Sequence, residues 1–458
     1  MQTDSTVQPV TRRIAEHFAA TGFDDLPPST RHATSRALLD AMGVMLAATT
    51  LAPDARPFRD QAIADGGVPD ARLLGCDARV PMAAAAFANG ALGHALDFGD
   101  TFDAGPAHPN AALVPALLAI ADAHSAIDRQ AFLTAMALGS DLACRISLAP
   151  ARPFEDGGWY PPPFAGTIGA AAGCAKLLGL DADGIVQAIG LALCQASFPA
   201  EIKFDADTRL RGVREGFAAR AAVSGALLAR RGVRAFAAPL EGRGGFFALH
   251  GGGLRADVLL ADMGACFLGD EVSFKPWPAC RGTHAYIEAA LALRSRIALA
   301  EITLIEVEIG PVQEMLVEPR AIKVAPSSAI DAKFSIPFTV AAALVHGAVT
   351  LDTFAPAALT NPQVRAIADK VVPVRNRTWG RVEAASGSVT IVMQDGQRLH
   401  LAIPQAAGHP DYPTSDEDLR AKFVDCAMRA AMPMTRPQAT RLADTILAID
   451  DGADFLVW

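Results

Sequence analysis

Apolar residues recur at helical spacing through the first half of the chain, from about residue 29 to residue 232. After Thr30, for example, Leu38, Met42 and Met45 fall at i, i+4 and i+7, which predicts a helix with Thr30 as its N-cap. Breaks rich in Gly, Pro and Asp separate later segments of this kind. The prolines at 161–163 are incompatible with a helix interior and are predicted to lead into the next helix. The periodicity predicts further helices at 82–98, 111–124, 129–149, 166–178, 182–196 and 214–231.

The pattern changes after Arg255, where apolar and polar residues begin to alternate. Residues 302–309 are predicted to form a strand. Two more predicted strands, 388–393 and 399–403, flank Asp395-Gly396, a pair that predicts a hairpin with a type I′ turn. Helical spacing returns in three places, at 338–346, 361–368 and 415–457.

These two patterns predict a mainly α fold in two parts. A large all-helical domain takes residues 1–269 and 406–458, and a smaller inserted α+β lid domain takes residues 270–405. The chain has 458 residues, of which 51% are hydrophobic and only 6% aromatic, so its core is expected to be aliphatic and rich in Ala. Ligand sites favour domain junctions, which gives weight to candidates near the boundary.

Charge and cysteine content exclude several classes of function. The net charge is −9 and no run of Lys and Arg occurs, so nucleic-acid binding is not expected. The seven cysteines are scattered without a CxxC pair, which argues against a disulfide framework or a zinc site, and most are predicted to be buried. Residues 1–10 are polar and no apolar run reaches ~18 residues, so we expect neither a signal peptide nor a membrane span, and we expect a cytoplasmic location.

Acidic and imidazole groups gather near residue 100. His94, Asp97 and Thr101 stand at i, i+3 and i+7, a spacing that places them on one face of a helix near its end, and His108 follows in a loop. Such groups suit general acid–base chemistry, because each group shifts the pKa of the other. Helix-end hydrogen bonds are the alternative interpretation. A metal site is less favoured, since divalent metals need three or more ligands of defined geometry.

Basic residues form a second group of candidates. In a chain of negative net charge, a local cluster of cations indicates an anion-binding pocket, and several fixed cations suit a substrate with two or three carboxylates. A solvated loop with ordinary surface charge is the alternative. The group comprises Lys203, Arg209, Arg211 and Arg214, with Lys275 and Arg281 at the predicted domain junction.

Several ordered motifs resemble one enzyme family. The segment 86–101, AFANGALGHALDFGDT, followed by His108-Pro109, is similar to the signature of the MmgE/PrpD family, which includes 2-methylcitrate dehydratase, cis-aconitate decarboxylase and iminodisuccinate epimerase. The resemblance continues in GTIG (166–169), LLGL (177–180), KPWPACRGTH (275–284), AKFSIPF (332–338) and LRAKF (419–423), and so spans nearly the whole chain.

The resemblance implies a cofactor-independent enzyme without a metal, usually a homodimer, acting on a small polycarboxylate. It also implies a set of site residues. The catalytic candidates are Asp97, Thr101, His108, Lys275, Tyr160 and Cys280, and the substrate-binding candidates are Arg209, Arg211, Arg281 and His284.

Four positions depart from the family pattern. Tyr160 and Arg211 stand where cis-aconitate decarboxylases and many dehydratases carry His and Lys. Cys280 stands where the decarboxylases carry His, and Phe338 stands where some members carry Tyr. Arg does not act as a base at ordinary pH, and Tyr is better suited to donating a hydrogen bond. Cys280 is either a thiol base or a small neighbour of Arg281. These changes favour dehydration or epimerisation over decarboxylation of cis-aconitate.

The sequence therefore predicts a lyase of the hydratase or dehydratase type that abstracts a proton next to a carboxylate of a small di- or tricarboxylic acid. Two alternatives stay open. One is an isomerase that inverts the carbon next to a carboxylate, and the other is a non-catalytic homologue that binds a polycarboxylate.

Overall fold

The computed structural model describes residues 9–205 and 208–448, and it is mainly α-helical, as the periodicity predicts. The chain divides into a unit of Met1–Val272 with Ser415–Trp458 and a unit of Ser273–Thr414. We call them the helical unit and the sheet unit. The role of the sheet unit as a lid stays a prediction, and residues 449–457 of the last predicted helix lie outside the described residues.

The helical unit is built from apolar helices of one to seven turns. Their bounds are α1 Val10–Ala20, α2 Pro28–Leu51, α3 Arg56–Asp65, α4 Met82–Gly93, α5 Pro109–Ala123, α6 Arg129–Leu148, α7 Pro161–Leu177, α8 Ala182–Leu193, α9 Leu210–Val213, α10 Glu215–Arg230, α11 Phe246–His250 and α12 Ala256–Leu260. The short strands β1 Ala71–Arg72 and β2 Arg79–Val80 pair antiparallel.

The sheet unit carries the remaining strands. Its helices are α13 His284–Leu293, α14 Arg320–Val324, α15 Ala329–Lys333, α16 Ile336–His346 and α17 Pro362–Ala368, and its strands are β3 Ile302–Ile309, β4 Val371–Arg375, β5 Gly387–Met393 and β6 Arg398–Ile403. The strand order is β4-β3-β5-β6, in which only β3 and β4 run parallel. The chain then returns to the helical unit with α18 Asp416–Met428 and α19 Arg436–Leu447.

The hairpin between β5 and β6 is confirmed, but its predicted type I′ turn is wrong. That turn requires positive φ at both central residues. Here Gly396 has φ +85° and Asp395 does not have positive φ. Met393 and Gln397 close the loop with an N–H···O bond of 2.9 Å, so the loop has three residues with glycine in the left-handed position.

Small residues let the helices that lead to the candidate site approach closely. A Cβ atom placed on Gly216 of α10 would lie 2.5 Å from the Phe87 carbonyl oxygen of α4. At the end of α4, a Cβ on Gly93 would lie 2.2 Å from the Ala111 carbonyl oxygen of α5. Side chains larger than hydrogen would push these helices apart, so both glycines are required by close packing.

Helix α7 begins at Pro161 rather than at the predicted residue 166. The first helical turn has N–H groups without intrahelical acceptors, so prolines lose nothing there and their fixed φ already suits the helix. The prolines at 161–163 therefore form the first turn instead of preceding it.

The cysteines are less buried than predicted. Cys144, Cys174 and Cys426 are buried, whereas the other four are exposed or half-buried. Helix α6 is long and apolar enough to cross a membrane, but 89% of its apolar window is buried inside the protein, which is typical of a core helix.

The predicted N-cap role of Thr30 is wrong, because α2 already begins at Pro28. Proline at the first position pre-sets the helical φ. Thr30 lies inside the helix, and its hydroxyl donates to Asp270 Oδ2 over 2.6 Å. Thr30 thereby connects α2 to the segment that precedes the sheet unit.

Asp270 makes stability depend on pH. Burial raises the pKa of this carboxyl from 3.8 to about 6, opposed by the Thr30 hydrogen bond and assisted by Glu271 and Asp141. The folded state therefore binds this proton more tightly than the unfolded state, so the contribution of Asp270 to stability falls as pH rises from about 4 to about 6. Asp270→Asn keeps an acceptor for Thr30 but no longer titrates. We therefore expect the difference between Tm at pH 7 and Tm at pH 4 to be more positive in this variant than in the wild type. Identical Tm profiles measured by calorimetry would contradict this expectation.

Candidate active site

The cluster near residue 100 is formed by a turn rather than by a helix face. Helix α4 ends at Gly93, so the predicted helix 82–98 is too long. The Asp97 N–H donates to the His94 carbonyl over 2.9 Å, and Asp97 adopts φ +50°. This left-handed conformation is tolerated by Asp better than by most residues. The chain leaves the helical path in this turn, next to the close contact of Gly93 with the Ala111 carbonyl of α5.

His94 and Asp97 form a buried pair at this turn. His94 Nε2 lies 3.1 Å from Asp97 Oδ1, and their side chains are 4% and 3% exposed. The carboxylate accepts from the Nε2–H, which fixes the protonation of that nitrogen. His94 belongs to the predicted cluster but was not a predicted site residue. The structure shows that it is the partner of Asp97.

His108 lies against this pair and is more accessible. Its ring centroid is 4.1 Å from that of His94, with a 38° angle between the planes. His108 Nδ1 lies 3.0 Å from the Asp100 carbonyl oxygen, an acceptor, so Nδ1 carries the proton and the neutral ring presents the Nε2 lone pair. His108 is half-buried whereas Asp97 and Thr101 are buried, so among these residues it is the best placed to meet a ligand.

A buried ion pair supports the turn from α2 and α18. Lys422 Nζ lies 2.6 Å from Asp40 Oδ1 and donates to the Phe98 carbonyl over 2.7 Å. It also lies 3.8 Å from the Phe98 ring centroid, a cation–π contact. Neither charged residue was a predicted site residue, although Lys422 is part of the LRAKF motif. Asp40 is the one acidic residue of α2 and interrupts its apolar stretch 37–48, which was the other available signal.

The basic segment at 209–214 lies beside the same turn. A Cβ placed on Gly212 would lie 3.4 Å from Ala95 Cα, so α9 packs against the residues that follow α4. Arg209 is exposed and Arg211 is half-buried, and both are therefore accessible to an anion. The structure thus brings the two candidate groups of the helical unit together.

Arg214 is engaged inside the helical unit. It is 1% exposed, and its Nε lies 3.1 Å from Glu215 Oε1. Burial raises the pKa of Glu215, and Arg214 opposes this shift. The Arg214 guanidinium also lies 4.8 Å from the Tyr160 ring centroid, and Lys203 Nζ lies 5.2 Å from it. The Tyr160 ring therefore contacts two cations of the basic group, Lys203 and Arg214.

The remaining candidates belong to the sheet unit, where segment 275–284 is tightly held. Lys275 is 1% exposed and His284 is fully buried, with His284 Nε2 3.1 Å from the Ala279 carbonyl. Arg281 donates to the Ala407 and Ala406 carbonyls over 2.8 and 3.0 Å. Cys280 is half-buried, and its backbone N–H donates to the Lys333 carbonyl. The joint action of these residues with Asp97 and His108 on one substrate stays a prediction.

Phe338, the fourth departure from the family pattern, is a core residue of α16. It is 1% exposed, and its ring centroid lies 6.2 Å from that of Phe354.

A cavity of about 580 Å³ opens elsewhere in the helical unit, between the end of α8 and α11, and is lined by Leu193, Phe236, Phe246 and His250 among others. None of the predicted site residues lines it. Within the described ranges, no three His, Cys, Asp or Glu side chains are grouped to hold a metal ion.

Comparison with known proteins agrees with the motifs. The MmgE/PrpD N-terminal domain matches residues 12–258, and the MmgE/PrpD C-terminal domain matches residues 277–445. Human cis-aconitate decarboxylase is 30% identical over 76% of this chain and 73% of its own length, and the mouse enzyme is 27% identical over 82% and 78%. A cis-aconitate decarboxylase-like protein of Aspergillus oryzae is 26% identical over 99% of this chain and 97% of its own.

Proposed function

The chain belongs to the MmgE/PrpD family, and from this premise we propose that it is a lyase acting on a small tricarboxylic acid. The relatives named above are cis-aconitate decarboxylases or are named for their likeness to one. The observation that carries the proposal is the His108 imidazole, accessible on one side and fixed in one tautomer by the Asp100 carbonyl. Such a group is a proton carrier, which lyase chemistry next to a carboxylate requires.

His108 Nε2 moves the proton in either lyase reaction. In a decarboxylation, the C–C bond breaks, CO2 leaves, and the electron pair that stays on carbon takes a proton from the imidazolium. In a dehydration, neutral Nε2 removes the proton next to the carboxylate, and the imidazolium returns this proton to the hydroxyl, which leaves as water while the C=C bond forms. In both reactions the negative charge of Asp97, which lies beside the neighbouring His94, stabilises the positive charge that His108 carries.

Arg209 and Arg211 hold the substrate carboxylates in this proposal. They are the accessible cations of the segment beside the turn, and guanidinium groups pair with carboxylates through two hydrogen bonds. We assign Arg214 a structural role, because its guanidinium already contacts the Glu215 carboxylate and the Tyr160 ring. Tyr160 is assigned as a hydrogen-bond donor to the substrate.

The relatives favour a lyase over the isomerase that the sequence left open. The proposal keeps two further expectations of the family resemblance, turnover without a cofactor and a homodimer, and the cytoplasmic location that was expected from the sequence pattern. The sheet unit would serve as the lid.

Product analysis tests the proposal. The full chain is incubated in D2O with cis-aconitate, citrate or 2-methylcitrate, and the products are followed by NMR. Decarboxylation gives CO2 and an unsaturated dicarboxylic acid that carries deuterium from solvent, whereas dehydration gives an alkene without loss of carbon. Exchange of the proton with inversion at carbon would show an isomerase. A thermal shift without any turnover would show a binding homologue, and either result would overturn the proposal.

A further inference from the structure

Asn110 is connected to the proposed proton carrier through one residue. It is fully buried in the first turn of α5, two residues after His108. Asn110 Nδ2 donates to Asp100 Oδ2 over 2.7 Å, and the backbone carbonyl of the same Asp100 accepts from His108 Nδ1. Asp100 is only 3% exposed, so water does not compete strongly for these two contacts.

We infer that Asn110 is a positioning residue: by holding the Asp100 carboxylate, it fixes the Asp100 carbonyl that selects the Nδ1–H tautomer of His108. This inference rests on the proposed role of His108. A hydrogen bond from an amide to a buried carboxylate is charge-assisted and stronger than one between neutral groups. A histidine acts as a base through one nitrogen only when the other nitrogen holds the proton in place.

Asp100 and His108 lie at the two ends of one small loop. Residues 101–107 form a small loop that is closed by the Phe102 N–H, which donates to the Ala107 carbonyl over 3.0 Å. Asp100 precedes this loop and His108 follows it, so the bond between them depends on where the loop begins. Asn110 ties the beginning of the loop to the rigid first turn of α5. Loss of this tie is expected to weaken the hold on Asp100 and so to let its carbonyl shift relative to His108.

Two variants test the inference. Asn110→Ala removes the donor. Asn110→Leu keeps the approximate volume of the buried side chain but offers no hydrogen-bond donor to Asp100. In each variant we expect kcat to fall about tenfold to a hundredfold, the effect of losing one hydrogen bond to a charged acceptor. We also expect the pH profile of kcat to change shape, because His108 then exists as two tautomers.

Nitrogen-15 NMR of histidine-labelled protein reads the tautomer directly. The chain has ten histidines, and the His108 signals are identified by their loss in His108→Gln. The wild type is expected to show a protonated Nδ1 and an unprotonated Nε2, and both Asn110 variants are expected to show a mixture. An Nε2–H tautomer in the wild type, or an unchanged tautomer in both variants, would overturn the inference. This measurement needs no substrate, so it decides the inference even if the proposed reaction is wrong.

Asn89→Ala is the matched control. Asn89 is also buried, at 2% exposure, and its side chain bonds the backbone of Leu74 and Arg72 over 2.9 and 3.0 Å. It lies on α4 and is not bonded to Asp100. This variant is expected to lose stability as Asn110→Ala does while keeping the His108 tautomer and the pH profile. A tautomer change in Asn89→Ala equal to that in Asn110→Ala would show a general effect of destabilisation and would overturn the inference.

Discussion

Replacement of His108 by alanine is expected to lower kcat for the tricarboxylate about a hundredfold to ten-thousandfold, the usual contribution of a positioned acid or base. The reason is geometric, since the neutral ring presents Nε2 as a base and His108 is the accessible member of its cluster. Stability is expected to fall by about 1–3 kcal/mol, because the buried Asp100 carbonyl loses the His108 donor. Steady-state kinetics with the substrate found by NMR, together with Tm, measures both quantities.

His124→Ala provides the control for this prediction. His124 follows the other end of the same helix α5, and its Nδ1 also lies close to a backbone carbonyl, that of Ile120 at 2.9 Å. Its Nε2 lies 2.9 Å from an Arg230 nitrogen, at an exposed position. The loss of an imidazole there should leave kcat unchanged. Full turnover by His108→Ala, or an equal loss in His124→Ala, would remove His108 from the mechanism.

The longer helices of the first half and three of the four strands of the sheet could be predicted because long elements carry their own periodicity. The strand predicted at 302–309 coincides with β3, and the helix predicted at 182–196 begins where α8 begins. Strand β4 and helix α13 were not predicted, and other errors lie at ends and turns. Thr30 looked like an N-cap, but the fixed φ of Pro28 starts the helix earlier. The loop at Asp395-Gly396 has three residues rather than two, and hairpin sequences of this kind fit both loop lengths.

The candidate site could be predicted only in part. The residue types near residue 100 indicated acid–base chemistry, but the predicted helix face was wrong, because α4 ends at Gly93 and Asp97 adopts φ +50° in the turn that follows. The fixed tautomer of His108 depends on a backbone carbonyl, which no side-chain pattern reveals. The structural role of Arg214 follows from its ion pair with Glu215, which is itself buried. Long-range partners of this kind appear only when the chain is folded.

Replacement of Lys422 by methionine is expected to destabilise the protein by about 3–5 kcal/mol, the usual cost of leaving one partner of a buried ion pair uncompensated. The side chain of Asp40 is 0% exposed and that of Lys422 is 9% exposed, so water cannot replace the lost cation. The Phe98 carbonyl loses its donor in the same variant, and the turn that carries Asp97 loses its support. Urea unfolding measures the destabilisation, and kcat is expected to fall with it because His94 and Asp97 shift.

Two further variants separate charge from packing. Arg420→Met lies on the same helix α18 but breaks an exposed pair with Asp444, whose side chain is 53% exposed, so a loss of about 1 kcal/mol or less is expected. Asp40→Asn combined with Lys422→Met removes both charges, so it should recover much of the stability lost in the single variant, since the cost comes from a buried carboxylate that has lost the Lys422 cation. It should not recover kcat, because Phe98 still lacks its donor. If Lys422→Met were no more harmful than Arg420→Met, the ion pair with Asp40 would not be what holds the turn.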